Sequence, residues 1–353
     1  MRSKALYRFL KISKRAKMII IEDDLGSQGG QVLRTALSLS AITQENFKIS
    51  NIRAKRNNPG LQNQHLNAVN IMKEICNAEV RGNQLNSKDL IFMPNDIISK
   101  DLKIDIKTAG SVTLVFQTIL PLCLKFNKKI KVEIIGGTDV SFSPPINSIE
   151  NVFLRLVKKF NVNATAEIIN RGFYPKGNGK VVFEIEPCRK IKNVELIERG
   201  NYIRTDLFSI ASNSLKERKV VERQIDSFKK SYNKEIGIVV DKYVDTLSPG
   251  SLVHAHCHFT NTIIGAECLG ERGKSSEDVG KEAAFNLSNE YNSRSCVDKK
   301  AIDQLMIYMG LSKNSKVKTS ETTNHINANA AVIEKFLDVK FDVNDNIVEC
   351  SKM

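Results

Sequence analysis

Four stretches of the chain carry residue types that could do chemistry. In Thr323-Asn-His-Ile-Asn-Ala-Asn329, His325 stands between an expected strand and an expected helix, where loop residues often act. A neutral, positioned imidazole is a competent nucleophile, although a lone histidine more often plays a structural part. Asn51-Ile-Arg-Ala-Lys-Arg-Asn-Asn-Pro-Gly-Leu-Gln-Asn-Gln-His65 ends a strand in three cations. Alternation puts Arg53 and Lys55 on one face, with Arg56 near the turn and His65 opening a helix. Such a cluster suits phosphates; a solvated charged turn is the competing reading.

The third stretch, Glu22-Asp-Asp-Leu-Gly-Ser-Gln-Gly-Gly-Gln31, runs from a strand through glycines into a helix bearing Arg34. Glycines let a backbone approach a ligand, and a helix N-terminus favours anions. It is neither a P-loop nor a dinucleotide fingerprint, and a tight turn with solvated acids fits it equally. The fourth, His254-Ala-His-Cys-His258, puts three histidines on one strand face. Three ligands so close on one strand rarely converge on one ion, and no outside Cys or His is evident. A polar strand face is therefore preferred to zinc.

These residues need elements to hold them, and the elements repeat. The first copy opens with Gly29-Gly-Gln-Val-Leu-Arg34 and an apolar helix, followed by a strand at 47–52. A second helix at 65–76 carries Leu66, Val69, Ile71, Met72 and Ile75 at a 3.6 period, and a strand follows at 89–93. The second copy starts at Gly110, with strands at 129–135 and 180–186 around a helix at 148–160. The third is delayed. A capped helix begins at Ser276 with Glu277 and Asp278 in its first turn. A strand at 316–320, a helix at 327–336 and paired strands at 339–343 and 347–349 follow. An insertion explains the delay. The expected organisation is a basic extension at 1–17, a large catalytic domain at 18–187 holding repeats one and two, a small inserted α/β domain at 188–269, and repeat three at 270–353. The fold class is α/β (α+β), with three βαβαββ-like units.

Composition narrows the class. The chain has 353 residues, 41% hydrophobic and 26% charged, which excludes disordered, collagenous and coiled-coil chains. The longest apolar run, near 112–124, is broken by Thr113, Gln117 and Thr118 and is too short for a membrane span. Seven cysteines, an odd number with no CxxC spacing, suggest a reduced, cytoplasmic protein. The formal charge is +14, but half of it comes from Arg2, Lys4, Arg8, Lys11, Lys14, Arg15 and Lys17. That segment reads as an upstream start before Met18, a disordered tail or a short basic helix.

From about Met18 to the C-terminus, least in the insertion, the chain resembles the RNA 3′-terminal phosphate cyclase family. The resemblance rests on Gly29-Gly-Gln-Val-Leu-Arg34, Ile52-Arg-Ala-Lys-Arg56 with Pro59-Gly-Leu61 and Gln64-His-Leu66, and Thr108-Ala-Gly-Ser-Val-Thr113 with Gln117-Thr118. It continues in Gly136-Gly-Thr-Asp139 with Pro144-Pro145, Gly172-Phe-Tyr-Pro-Lys-Gly177, Gly270-Glu-Arg-Gly273, Asp303-Gln-Leu305, and His325 with Asn329.

The resemblance implies an ATP-dependent, ligase-like enzyme that converts an RNA 3′-phosphate to a 2′,3′-cyclic phosphate through a histidine–AMP adduct. His325 falls on the family's nucleophile. Nucleotide contacts fall on Gln117, Pro144 and the segment Lys300, Ala301, Ile302, Asp303 and Gln304. Arg34, Arg53, Arg56, Gln64 and His65 match the phosphate and RNA-end site. The implied partners are ATP and RNA with a 3′-phosphate end, with no membrane; a homodimer stands as one option for assembly. A divalent metal, Mg or Mn, is also implied, but Ser27 replaces the usual glutamate and is a weaker ligand. Glu22 takes an aspartate position, Gln28 a glycine position, and Lys300 stands where an aromatic can stack. The alternative function is a non-catalytic cyclase-like RNA-binding protein of ribosome biogenesis. An enolpyruvyl transferase sharing the repeat lacks support from the His325 block.

Overall fold

The computed structural model describes residues 18–22, 30–54 and 57–353. The basic segment 1–17, the loop 23–29 with Ser27, and Lys55 and Arg56 lie outside the described residues.

The fold is mixed α+β, and its repeat is written in strand order. The first unit comprises β1 (Ile19–Glu22), α1 (Gln31–Thr43), β2 (Phe47–Ser50), α2 (Asn63–Ile75), β3 (Glu79–Arg81) and β4 (Leu90–Met93). Its sheet runs β1-β2-β4-β3, the first pair parallel and the other two antiparallel. The second unit comprises β5 (Leu102–Asp105), α3 (Val112–Ile119), β6 (Ile130–Gly136), a helical stretch α4 at 146–159 with a π-helical turn at Ile149–Phe153, β7 (Ala164–Asn170) and β8 (Gly179–Ile185). Its order, β5-β6-β8-β7, and its strand directions are the same.

The third unit begins with the two-residue β9 (Glu195–Leu196). The insertion follows as β10 (Tyr202–Ser212), α5 (Val220–Ser231), β11 (Ile236–Val244), β12 (Ser251–Phe259), β13 (Ile263–Leu269) and α6 (Ser276–Asn292). The unit then resumes with α7 (Lys299–Ser312), β14 (Ser315–Lys318), α8 (Asn324–Phe336), β15 (Val339–Asn344) and β16 (Ile347–Lys352). Its sheet repeats the pattern as β9-β14-β16-β15.

This order corrects one expectation. The helix starting at Ser276 does not open the third repeat; α7 does. Val279, Ala283, Ala284 and Leu287 of α6 bury against Val221, Ile225 and Phe228 of α5, in a core separate from that of the three repeats. Gly280 makes the approach possible, because a Cβ there would collide with the Gln224 carbonyl of α5. A capped amphipathic helix shows that it has an apolar face, not which core receives it.

The main core is shared by the three units. Residues 32 and 33 and every residue from Thr35 to Ile42 are buried, so α1 is a central helix rather than a surface one. That burial explains its nearly unbroken apolar and small-residue sequence and makes it a rigid support for Arg34.

Candidate active site

The first cluster forms where α1, α2 and α3 meet. Arg34, Gln64 and His65 line one pocket with Ser111, which caps α3, and Leu114 of α3. His65 is the third residue of α2 and closes a capping box. Its Nδ1 accepts from the Gln62 backbone N–H at 3.1 Å, which places its proton on Nε2. That Nε2–H is buried and has no hydrogen-bond partner. Burial first, then the charges of Arg34 and Arg53, push the His65 pKa down to about 3, so the ring is neutral. An orphan N–H donor beside an arginine suits an anionic oxygen.

Arg34 donates to Gln31 Oε1 at 2.7 Å, and its own burial lowers its pKa to about 10. Gly30 completes the pocket. A Cβ on it would stand 2.6 Å from His65 Nε2 and 2.9 Å from Arg34 Nη1. The N-terminus of α1 carries no side-chain cap, so its first N–H groups remain available to an anion.

The second cluster surrounds His325. Helix α8 starts at Asn324, with Thr323 before it and no side-chain cap. His325 is therefore in the first helical turn rather than in a loop, and it is exposed. One turn on, Asn329 is buried, at 1% exposure. Its Oδ1 accepts from Thr35 Oγ1 at 2.7 Å, and its Nδ2 donates to the Asp303 carbonyl at 2.8 Å. One amide thus fixes the histidine's helix to α1, next to Arg34, and to α7.

The third cluster lies along the start of α7. Asp298 caps it, accepting from the backbone N–H groups of Lys300 and Ala301. Lys300 Nζ donates to Glu267 Oε1 at 2.8 Å, and the Glu267 carboxylate holds the Lys300 pKa above its ordinary value. Pro144, Glu267, Asp298, Lys300, Ala301 and Gln304 share one cleft. Gln304 Oε1 accepts from Gln117 Nε2 at 2.6 Å, and the Pro144 carbonyl accepts from Thr113 Oγ1 at 2.7 Å. Asp303 lies nearest α8, with Thr323 Oγ1 at 3.5 Å from its carboxylate, and burial raises its pKa to about 7.

The expected residues thus fall into adjoining groups. Arg34, Gln64 and His65 gather in one pocket. Pro144, Lys300, Ala301 and Gln304 gather in another, with Gln117 attached through Gln304. Two side chains fall elsewhere than expected, Ile302 against the resemblance and Arg53 against strand alternation. Ile302 is fully buried in the main core. Arg53 is not on a strand face: β2 ends at Ser50, and Asn51 and Arg53 take positive φ of 58° and 54°. The turn sends the Arg53 guanidinium to the carbonyls of Asn58 (2.6 Å) and Gly60 (3.1 Å), close enough to act on His65. Glu267 and Asp298 were not anticipated. Asp298 carries the readable signature of an acid before a helix; Glu267, on a strand of the insertion, carries none.

Comparison with known proteins gives a consistent match. Residues 25–343 match the family model described as RNA 3′-terminal phosphate cyclase. The chain is 42% identical over 331 residues to the RNA 3′-terminal phosphate cyclase of Saccharolobus islandicus, covering 92% of this chain and 96% of that one. It is 36% identical over 335 residues to the protein of the same name from Pyrococcus furiosus, covering 94% and 97%. Against Pyrobaculum aerophilum the identity is 39% over 326 residues, covering 91% and 93%.

Proposed function

The chain belongs to the RNA 3′-terminal phosphate cyclase family, an enzyme family of the ligase class, and from that premise we propose a course for its reaction. An imidazole nitrogen of His325 attacks the α-phosphorus of ATP. The P–N bond forms, the bond to the bridging oxygen breaks, and pyrophosphate leaves. An oxygen of the RNA 3′-phosphate then attacks the adenylyl phosphorus and displaces the imidazole, giving RNA-(3′)pp(5′)A. Finally the vicinal 2′-hydroxyl loses its proton and attacks the terminal RNA phosphorus. AMP departs and the 2′,3′-cyclic phosphate remains.

One observation carries this reading: Asn329 fixes the exposed His325 turn to both flanking clusters. The α7 cleft suits the nucleoside end of ATP. Glu267 and Asp298 would repel phosphates, yet a carboxylate accepts readily from ribose hydroxyls or an adenine amino group. Arg34 and the orphan N–H of His65 supply positive charge and a donor for the RNA phosphate. Bringing the reactants together in line does most of the work, since AMP is a good leaving group. Arg56 and Gln64 are proposed as further contacts to the RNA end. For the divalent metal, Glu22, exposed at the end of β1, is the one described residue of the expected loop that offers a carboxylate.

We also place the protein in the cytoplasm. All seven cysteines are free and buried, as suits a reducing compartment, and among the described residues no helix is long and apolar enough to cross a membrane. The test of the proposed function is incubation with ATP and an RNA ending in a 3′-phosphate. The expected product is an RNA whose terminal phosphate resists phosphatase, with one AMP released per end. ATP-independent or absent cyclisation would overturn the reading.

A further inference from the structure

Three of the five histidines lie on β12. His254 and His256 are 0% and 1% exposed. Strand β10 pairs antiparallel with β12 and sets Asp206 directly opposite His256. Opposite residues share a sheet face, so a carboxylate joins the histidine row. Its Oδ2 stands 2.8 Å from His258 Nε2 and 3.6 Å from His256 Nε2.

The proton positions follow from one end of this row. The Glu267 carboxylate, held by Lys300, accepts from the Ser148 hydroxyl at 3.0 Å. The Ser148 oxygen must then accept from His254 Nδ1, 3.2 Å away. With its proton on Nδ1, the His254 ring keeps a lone pair on Nε2. That nitrogen accepts the Nδ1 proton of His256 at 3.2 Å. With its ring proton given from Nδ1 to His254, His256 presents the Nε2 lone pair to the other side. This nitrogen is buried without a hydrogen-bond partner, and it faces a carboxylate oxygen. Two electron-rich atoms so placed repel unless a cation lies between them.

The surroundings orient the carboxylate. Arg204 grips Asp206 through Nε–Oδ1 at 2.9 Å and Nη2–Oδ2 at 3.2 Å. Arg155 Nη1 stands 3.4 Å from His258 Nδ1.

We propose that Asp206, His256 and His258 bind a divalent transition metal of the zinc class. Two imidazoles and one carboxylate are a donor set zinc accepts, and three protein ligands leave a fourth position for water. The ligand atoms lie within 4.8 Å of one another; about 3.4 Å separates ligands in a tetrahedral zinc site, so the two imidazoles draw together on binding while the Asp206–His258 pair, now at 2.8 Å, opens. On binding, the His258 proton moves from Nε2 to Nδ1, the Arg155 guanidinium 3.4 Å away turns aside, and the freed Nε2 lone pair takes the metal. Arg204 on Oδ1 and His254 behind His256 remain as the partners that orient the ligands. Through Ser148 and Glu267 the same row reaches Lys300 in the α7 cleft.

The test uses the full-length protein, stripped with a chelator and titrated with Co²⁺. One saturable Co²⁺ per chain is expected, with the visible absorption of a four-coordinate site, displaced by Zn²⁺. Asp206→Asn and His258→Ala should lose both the band and the bound equivalent while circular dichroism reports a folded chain. Arg204→Gln, at a side chain 42% exposed, should weaken binding about 10–100-fold and keeps the test valid if the other variants fail to fold. Two results would overturn the proposal: no saturable band in the unaltered protein, or a band insensitive to all three substitutions. Either would leave a proton on His256 as the cation that fills the gap.

Discussion

Thr35 and Asn329, 294 positions apart in sequence, meet in a buried hydrogen bond of 2.7 Å. Thr35 follows Arg34 on α1, and Asn329 follows His325 by one turn on α8. The bond therefore sets the spacing between the arginine proposed to bind the RNA phosphate and the proposed nucleophile. Asn329 has a second duty, donating to the Asp303 carbonyl, so a single side chain aligns three helices.

Replacing Asn329 by alanine orphans the Thr35 hydroxyl and the Asp303 carbonyl and opens a small cavity. A loss of about 1–3 kcal/mol is expected from the unsatisfied groups. Urea unfolding should show a lower midpoint with an unchanged slope. A midpoint equal to that of the unaltered protein would remove Asn329 from its aligning role.

Gly30→Ala forces a methyl against His65 and Arg34. RNA cyclisation should fall at least about tenfold, equivalent to ~1.4 kcal/mol, while labelling of the protein by ATP survives. His65→Phe, which keeps the ring and removes the orphan N–H, should give the same split. Equal loss of both activities would place this pocket in the adenylylation step instead.

The raised pKa of Asp303 has a signed consequence. Burial lifts it from 3.8 to about 7, so the folded chain holds this proton more tightly than the unfolded chain. The stabilisation is complete below about pH 4 and drains away as pH rises to about 7. Asp303→Asn is uncharged throughout and lacks that slope. Denaturant unfolding at about pH 5 and pH 7.5 should therefore show the unaltered protein losing stability relative to the variant. A difference that stays constant with pH would contradict the assignment.

Lys300→Met leaves the Glu267 carboxylate, 9% exposed, without its ion pair and close to Asp298. Lys300 itself is 57% exposed, so the cost falls on the buried carboxylate, which loses its counter-charge. The KM for ATP should rise about tenfold, ~1.4 kcal/mol, with a smaller effect on the KM for RNA. An unchanged KM for ATP would detach the α7 cleft from nucleotide binding.

The repeat was legible where each unit had strands long enough to alternate. The third unit hid its start because β9 is only two residues long and the insertion follows at once. The helix at Ser276 then displayed the cap and acids of a repeat helix, and only packing assigns it to α5. Arg34 and His65 stood out by residue type and position and Gln64 by the resemblance, and the three line one pocket. Arg53 was misplaced because nothing in Asn51-Ile-Arg announces two positive φ values. The row of histidines was visible, but its carboxylate was not. Asp206 comes from fifty positions upstream of His256, and only the register of β10 on β12 brings it opposite.

The central claim is that His325 forms a covalent bond to AMP. Incubating the protein with α-labelled ATP, and separately with γ-labelled ATP, and resolving the denatured chain tests it directly. The account predicts label from the α position only, acid-labile as a phosphoramidate, and absent from His325→Ala while that variant remains folded. Label that persists in His325→Ala, or no label in the unaltered chain under conditions where RNA is cyclised, would contradict it.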